Sequence, residues 1–158
     1  MTTIYLFKTF DKNIIKQCVQ IGRQSLPIYY CYDSYKGFLN NKNSNTKVYI
    51  AKDENNKILG FIITTLTNEN NTHLLSFAVD PKYRRIQIGS KLINHVKKLE
   101  KKYISLHVQK INNIAVEFYK KNKFVIIKEI KDYYSTLDNP EAYLMVYMTH
   151  DYLISIMP

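Results

Sequence analysis

Cysteine is scarce. Cys18 and Cys31 are the only two in 158 residues, too few for a disulfide framework. Long apolar runs are missing as well: no stretch approaches the ~18 residues that a membrane span requires. The opening MTTIYLFKTFDK has neither the basic start, the long apolar middle nor the small-residue cleavage site of a secretory signal. These absences lead to the expectation of a soluble, cytoplasmic chain. Metal-ligand spacing is lacking too, since no set of His, Cys or carboxylates follows a metal-site pattern, so no metal is expected. No repeat recurs and no linker intervenes, so residues 1–158 are expected to form a single domain.

What is present can build a core. Hydrophobic residues make up 46% of the chain, which excludes disorder as a description of the whole. Cys18 falls on one helical face with Ile15, Val19 and Gly22 and reads as a small core residue. The formal net charge is +10, and it is concentrated. Residues 82–131 hold 14 of the 23 Lys and Arg against three acids, Glu100, Glu117 and Glu129. The remainder holds nine bases and ten acids. A basic half of this kind fits an anionic ligand or an RNA-containing surface. Solvated lysines on helix backs are the plainer explanation for most individual positions.

Hydrophobic periodicity orders the elements. TIYLFKTF reads as a strand, and residues 11–22 as a helix closed by Gly22 near its C-cap. Pro27 precedes a Tyr-rich segment, IYYCYDSYKGFLN, that reads as a second short helix. TKVYIAK and ILGFIITTLT, joined by the turn DENNK, predict a hairpin. After the loop NENN comes the strand THLLSFAV. The stripe Ile88, Leu92, Ile93, Val96 and Leu99 predicts a helix. YISLHVQ is a strand, NNIAVEFYKKN a helix capped by Asn112 or Asn113, and FVIIKEI and AYLMVYMTH are the last two strands. The order β-α-α-β-β-β-α-β-α-β-β describes a mixed α/β domain, a central β-sheet flanked by helices.

One junction carries chemistry. VDPKYRRIQIGSKLI leaves a strand at Val79, passes Arg84, Arg85 and Gly89, and enters a helix near Ile88. Backbone N–H groups and the positive end of a helix then face one concavity, where a pyrophosphate fits. Taken alone, a solvated basic turn explains the stretch equally well. A second stretch, LHVQKINNIAVEFYKKNKF, follows one strand later.

Together the two resemble motifs A and B of the GNAT acetyltransferases. Val79, Pro81, Arg84 and Gly89 match V-x-P-x-x-[RQ]-x-x-G-x-G. Leu106, Val108, Asn112, Ala115, Phe118, Tyr119 and Phe124 match L-x-V followed by N-x-x-A-x-x-[FL]-Y-x-x-x-G-F. Gln87 stands where motif A has its first glycine and Lys123 where motif B has its own. Glycine there gives the backbone access to positive φ or a close approach to phosphate. The fragments LHVQ, FY, YRR and NHV, with the pair Tyr133-Tyr134, narrow the resemblance to protein N-terminal acetyltransferases of the NatE catalytic-subunit type. It covers about residues 4–150.

The resemblance implies a GNAT fold and direct transfer of acetyl from acetyl-CoA to an amine, with no acyl-enzyme. The acceptor is the α-amine of a protein N-terminus, with Met followed by a hydrophobic residue preferred. Arg84, Arg85, Gln87, Ile88, Gly89 and Ser90 bracket the pyrophosphate. Leu75, Phe77 and Val79 supply backbone partners, and Asn112 bonds the pantetheine arm or caps its helix. His107 is the base, acting through a water, with an imidazole pKa suited to the task. A hydrogen-bonded strand histidine is the alternative reading. His73 occupies the place of a catalytic tyrosine in the NatE type and either shares the proton path or is a neutral strand-end residue. Tyr119 lies beside the CoA sulfur as an acid or is a core aromatic. Leu26, Pro27, Ile28, Tyr30, Tyr133, Tyr134 and Leu137 form the peptide slot.

Two other readings stand beside this one. The same fold acts on lysine side chains or small amines, because architecture does not fix the acceptor. A basic RNA- or ribosome-binding module without activity would use the charge at 82–131. A ribosome or auxiliary-subunit contact is also compatible with catalysis.

Overall fold

A computed structural model describes the chain apart from residues 9–10, 41–44, 70, 100–101, 157–158 and the side chains at 40, 151, 155 and 156. In chain order the elements are β1 (Thr3–Phe7), α1 (Lys12–Ser25), α2 (Tyr32–Asn40), β2 (Thr46–Lys52), β3 (Ile58–Asn68) and β4 (Asn71–Val79). A 3₁₀ turn at Pro81–Tyr83 leads to α3 (Ile88–Leu99), β5 (Tyr103–Gln109), α4 (Asn113–Lys121), β6 (Val125–Ile130), β7 (Ala142–Met148) and α5 (His150–Ile156). The strands form one mixed sheet in the order β1-β2-β3-β4-β5-β7-β6. The β4–β5 pair is parallel, whereas β1–β2, β2–β3, β5–β7 and β6–β7 are antiparallel. The expected α/β class, a mixed sheet flanked by helices, is the one observed.

Several boundaries differ. Of TIYLFKTF, Thr3–Phe7 forms β1, and the last two residues, 9 and 10, lie outside the described residues. Asn70 of the NENN loop lies outside them too. Helix α1 does not stop at Gly22 but continues to Ser25. The reason is packing: a Cβ on Gly22 would meet the Tyr29 Cβ at 3.2 Å and the Phe61 ring at 3.7 Å. At the chain's end, AYLMVYMTH is strand only to Met148, and His150 opens α5.

The chain divides into two compact units, residues 1–65 with 75–96 and residues 66–74 with 97–158. In the first, Asp11 caps α1 by accepting from the N–H groups of Asn13 (2.8 Å) and Ile14 (3.1 Å). The helix buries Ile15, Cys18, Ile21 and Gly22 at helical spacing. These meet Tyr35 of α2 and a sheet face carrying Val48, Ile50, Ile58, Phe61 and Ile63. Each large side chain removed from water here contributes about 1.5–3 kcal/mol before entropy is counted. Burial pushes the Cys18 thiol up to about 12, as befits an inert core residue. The predicted β2–β3 hairpin forms, its turn closed by the Asp53 carboxylate accepting from Asn55 N and Lys57 N at 2.9 Å each.

The second unit gathers β5, α4 and β7 around Ile104, Leu106, Val108, Val116, Tyr119, Phe124, Ala142 and Met145, all buried. Asn112 is the N-cap of α4, accepting from Ala115 N at 3.1 Å. At the far end the left-handed residue is Lys123 itself, at φ 63°, in the place of the motif's glycine.

Gly60 marks the tightest approach in the first unit. A Cβ there would lie 2.8 Å from the Ala78 carbonyl oxygen and 3.2 Å from Val79 Cα, both backbone atoms with little room to yield. Gly60→Ala is expected to destabilise by about 1–3 kcal/mol, lowering the thermal midpoint by roughly 2–4 °C per kcal/mol for a chain of this size. Gly37 of α2 has nothing within 4 Å of an added Cβ. Gly37→Ala is therefore expected to gain up to about 1 kcal/mol from helix propensity, and calorimetry on the two variants checks the contrast.

Candidate active site

The first unit builds the anion site. Asp80 caps the 3₁₀ turn by accepting from Lys82 N at 2.9 Å, and the chain then passes Arg84 to Gln87 before α3. Arg85 and Gln87 both adopt left-handed backbone, at φ 63° and 67°. Gln87 thus takes the conformation that motif A reserves for glycine, and the substitution leaves the loop's handedness intact. The first intrahelical bond of α3 runs from Lys91 N to the Gln87 carbonyl at 2.9 Å. Helix geometry therefore leaves the N–H groups of Ile88, Gly89 and Ser90 at the positive end. Ile88 is buried and anchors this turn in the core, while Gly89 and Ser90 are half-buried.

Arg84 is more constrained than a freely reaching cation. Its Nε donates to the Val79 carbonyl at 3.3 Å and its Nη2 to Ser25 Oγ at 3.0 Å. The guanidinium is tethered to the end of β4 and the last turn of α1, and Arg85 is exposed beside it. Leu75, Phe77 and Val79 lie on β4 beyond Leu74, the last residue of its register with β5.

The second unit brings two histidines together. The parallel register pairs His73 with Ser105. Side chains alternate along strands, so Asn71 and His73 of β4 share a face with Ser105 and His107 of β5. His73 Nδ1 lies 2.8 Å from Ser105 Oγ, and His107 Nδ1 lies 3.3 Å from His73 Nε2. The two imidazoles are therefore one linked pair.

The surroundings of the pair are aromatic. Tyr133 stacks on His107 with ring centroids 4.0 Å apart and planes 21° from parallel. Tyr134 packs edge-on to Tyr133 and donates its hydroxyl to the His107 carbonyl at 3.3 Å. Burial lowers the His73 pKa from its usual value. Burial, then repulsion by His73, brings His107 down to about 4. Burial first and Tyr133 second push the Tyr134 hydroxyl up to about 12. Both histidines are neutral at physiological pH.

Other expected site residues fall as follows. Tyr119 is buried between Phe118 and Phe124, edge-on to both, and burial raises its pKa. Leu137 N donates to the Tyr134 carbonyl at 2.9 Å, closing the loop that carries Tyr133 and Tyr134. In the first unit Leu26 follows the end of α1, Pro27 and Ile28 form a bend with Ile28 exposed, and Tyr30 packs edge-on to Phe38. His95 stands apart, edge-on to Tyr49. Among the described residues no group of three or more His, Cys, Asp or Glu is placed to hold a metal ion, and no described helix is long and apolar enough to cross a membrane. Sequence reasoning missed Ser105 and Asn71. The signal was there in the two-residue alternation of NTH and SLH, but only the strand register brings the two sets together.

Two predictions follow from these environments. Left-handed backbone costs a non-glycine residue roughly 1–2 kcal/mol. Gln87→Gly is expected to raise the melting temperature and Gln87→Val, β-branched, to lower it, by calorimetry. For His107 the folded pKa of about 4 lies below the ordinary 6.5, so the unfolded chain binds more protons between those values. Stability is then full above pH ~6.5 and falls as the pH drops toward 4. Urea midpoints measured across that window are expected to fall less steeply for His107→Gln.

Comparison with known proteins agrees with this geometry. Residues 15–124 match the family model described as Acetyltransferase (GNAT) family. The chain is 32% identical to the N-alpha-acetyltransferase daf-31 of Caenorhabditis elegans over 107 residues, 61% of this chain and 58% of that protein. Ard1 from Thermoplasma volcanium superposes with a TM-score of 0.80 at 27% identity, covering 94% of this chain and 97% of Ard1. Arabidopsis thaliana Naa50, solved in complex with the bisubstrate analogue CoA-Ac-MVNAL, gives a TM-score of 0.72 at 27% identity over 91% of this chain and 97% of Naa50. With a helix-end anion loop, a neutral histidine pair and a family match over most of its length, this chain belongs to the GNAT acetyltransferase family.

Proposed function

We propose that the protein transfers the acetyl group of acetyl-CoA to the N-terminal α-amine of proteins, Met followed by a hydrophobic residue being the preferred start. The observation that carries this reading is the linked His73–His107 pair stacked against Tyr133, a neutral base set beside an aromatic wall. Similarity to daf-31, Ard1 and Naa50 supports an N-terminal amine as acceptor. The Naa50 complex, whose analogue carries the peptide MVNAL, supports Met followed by an apolar residue.

The cosubstrate is acetyl-CoA. Its pyrophosphate takes the N–H groups of Ile88, Gly89 and Ser90 and the charge of Arg84 and Arg85, with Gln87 shaping the loop. Leu75, Phe77 and Val79 offer backbone partners to the acetyl and pantetheine groups. Asn112 already spends its side-chain oxygen on the α4 cap, which leaves its NH₂ for the pantetheine arm. An α-amine with a pKa of roughly 8 reaches the site mostly protonated. His107 Nε2, directly or through a water, takes one proton, and the freed nitrogen lone pair attacks the thioester carbonyl. The tetrahedral intermediate then collapses by breaking the C–S bond. The attacking nitrogen, cationic after addition, releases its second proton through water. The sulfur leaves with the bonding pair, and the proton it takes comes from Tyr119, which that second proton then restores. Its raised pKa keeps the hydroxyl protonated until that moment. No acyl-enzyme forms.

Leu26, Pro27, Ile28, Tyr30, Tyr133, Tyr134 and Leu137 are the residues assigned to the peptide. The exposed ring of Tyr133 is apolar surface of the kind a hydrophobic second residue would cover. The basic stretch 82–131 serves a ribosome or auxiliary-subunit contact alongside catalysis, in the cytoplasm where nascent N-termini emerge.

The test mixes the protein with acetyl-CoA and three peptides: a free Met-Leu N-terminus, a free Ser N-terminus, and a blocked N-terminus with an internal lysine. Thiol release and peptide mass are followed together. Acetylation of Met-Leu, reduced about 10²- to 10⁴-fold by His107→Ala, is the expected result. Modification of the lysine peptide alone would move the acceptor to side chains.

A further inference from the structure

Behind His107 the structure holds a chain of polar side chains that crosses the β4–β5 pair and ends at Thr67 of β3. Ser105 Oγ donates to Asn71 Oδ1 at 2.9 Å, and Asn71 Nδ2 donates to Thr67 Oγ1 at 2.7 Å. Thr67 Oγ1 in turn donates to the Asn71 carbonyl at 3.3 Å. With the two histidine contacts this makes five links from a backbone oxygen to the imidazole of His107.

The sense of the chain follows from its fixed end. A backbone carbonyl only accepts, so the Thr67 hydroxyl proton is committed to it and Thr67 Oγ1 must accept from the Asn71 amide. That orients the amide with Oδ1 toward Ser105, which commits the single Ser105 proton to Asn71. Ser105 can then only accept from His73, so His73 carries its proton on Nδ1 and presents a lone pair at Nε2. That lone pair accepts from His107, whose proton is therefore on Nδ1. The lone pair of His107 is left at Nε2, where no described side chain claims it. Reversing every link would place a proton on His107 Nε2 and remove the base.

We propose that Ser105, Asn71 and Thr67 are positioning residues that fix the tautomers of His73 and His107, so that His107 Nε2 is held as the proton acceptor. The value of this to the reaction rests on the acetyl-transfer reading above. The tautomers themselves do not. Ser105 is 5% exposed, so water does not readily replace its hydroxyl, and burial of the imidazoles keeps both neutral and the hydrogen-bond sense intact. The same division of labour holds metal-binding histidines to one tautomer through the hydrogen bond at the other ring nitrogen.

The experiment is long-range ¹H–¹⁵N NMR of the imidazoles in ¹⁵N-labelled protein at neutral pH, with peptide kinetics run on the same samples. The wild type is expected to show His107 protonated at Nδ1 and bare at Nε2. Ser105→Ala, which fills nearly the same volume, is expected to lose that preference and to lower kcat about 10- to 100-fold, with KM for acetyl-CoA unchanged. Ser105→Thr restores a hydroxyl and is expected to recover the tautomer and most of kcat. A backbone amide spectrum of each variant confirms that it is folded. A wild-type His107 protonated at Nε2 overturns the proposal, whatever the peptides do. So does a Ser105→Ala protein whose tautomers and kcat match the wild type. Correct tautomers in a protein that acetylates no peptide would keep the relay and discard the acetyl-transfer reading.

Discussion

Four residues of parallel pairing organise the chemistry. Asn71–Leu74 of β4 run in register with Tyr103–Leu106 of β5, and alternation then sends Leu74 and Leu106 into the core while His73 and Ser105 share the other face. A slip by one residue would bury the imidazole and expose the leucines. The antiparallel β5–β7 ladder holds β5 on its other edge, pairing Tyr103–Gln109 with Ala142–Met148. Most of the hydrogen bonds in the proton site descend from this register. The His73–Ser105 pair is cross-strand, and the links to Asn71 and His107 are diagonal steps on the same face.

Desolvation does the tuning. The rings of His73 and His107 are held in partly buried surroundings with no carboxylate partner among the described residues, so each resists protonation, and His73 makes protonation of His107 costlier still. A carboxylate beside them would stabilise the imidazolium instead. The local charge points the same way, since residues 82–131 carry few acids. Within that basic stretch Arg84 is held in place by Val79 and Ser25.

Backbone conformation is more tolerant than motif patterns suggest. Arg85, Gln87 and Lys123 all occupy left-handed backbone without being glycine. Such positions cost stability and persist where the surrounding fold over-determines them. At Gln87 the determinants are visible on both sides: the Asp80-capped turn before it and Ile88, buried, directly after it. At Lys123 they are the end of α4 and the buried ring of Phe124, whose N–H reaches back to the Tyr119 carbonyl at 3.0 Å.

The sequence by itself determined the element order, the mixed α/β class and the position of the turn that leads into α3. Each rests on local physics: apolar period, cap chemistry at Asn112, turn chemistry at Asp53, and a helix beginning just past two arginines. It misplaced the end of α1, because Gly22 looks like a stop signal when Tyr29 and Phe61 are out of view. It also named His107 and His73 separately, on motif position. Only the tertiary structure decided that these histidines touch, that Tyr133 stacks on one of them, and that Ser105 and Asn71 stand behind them. Those residues lie about thirty positions apart in the chain, and nothing local fixes the register between two parallel strands. It is set by which faces the core buries, and that is a property of the folded chain.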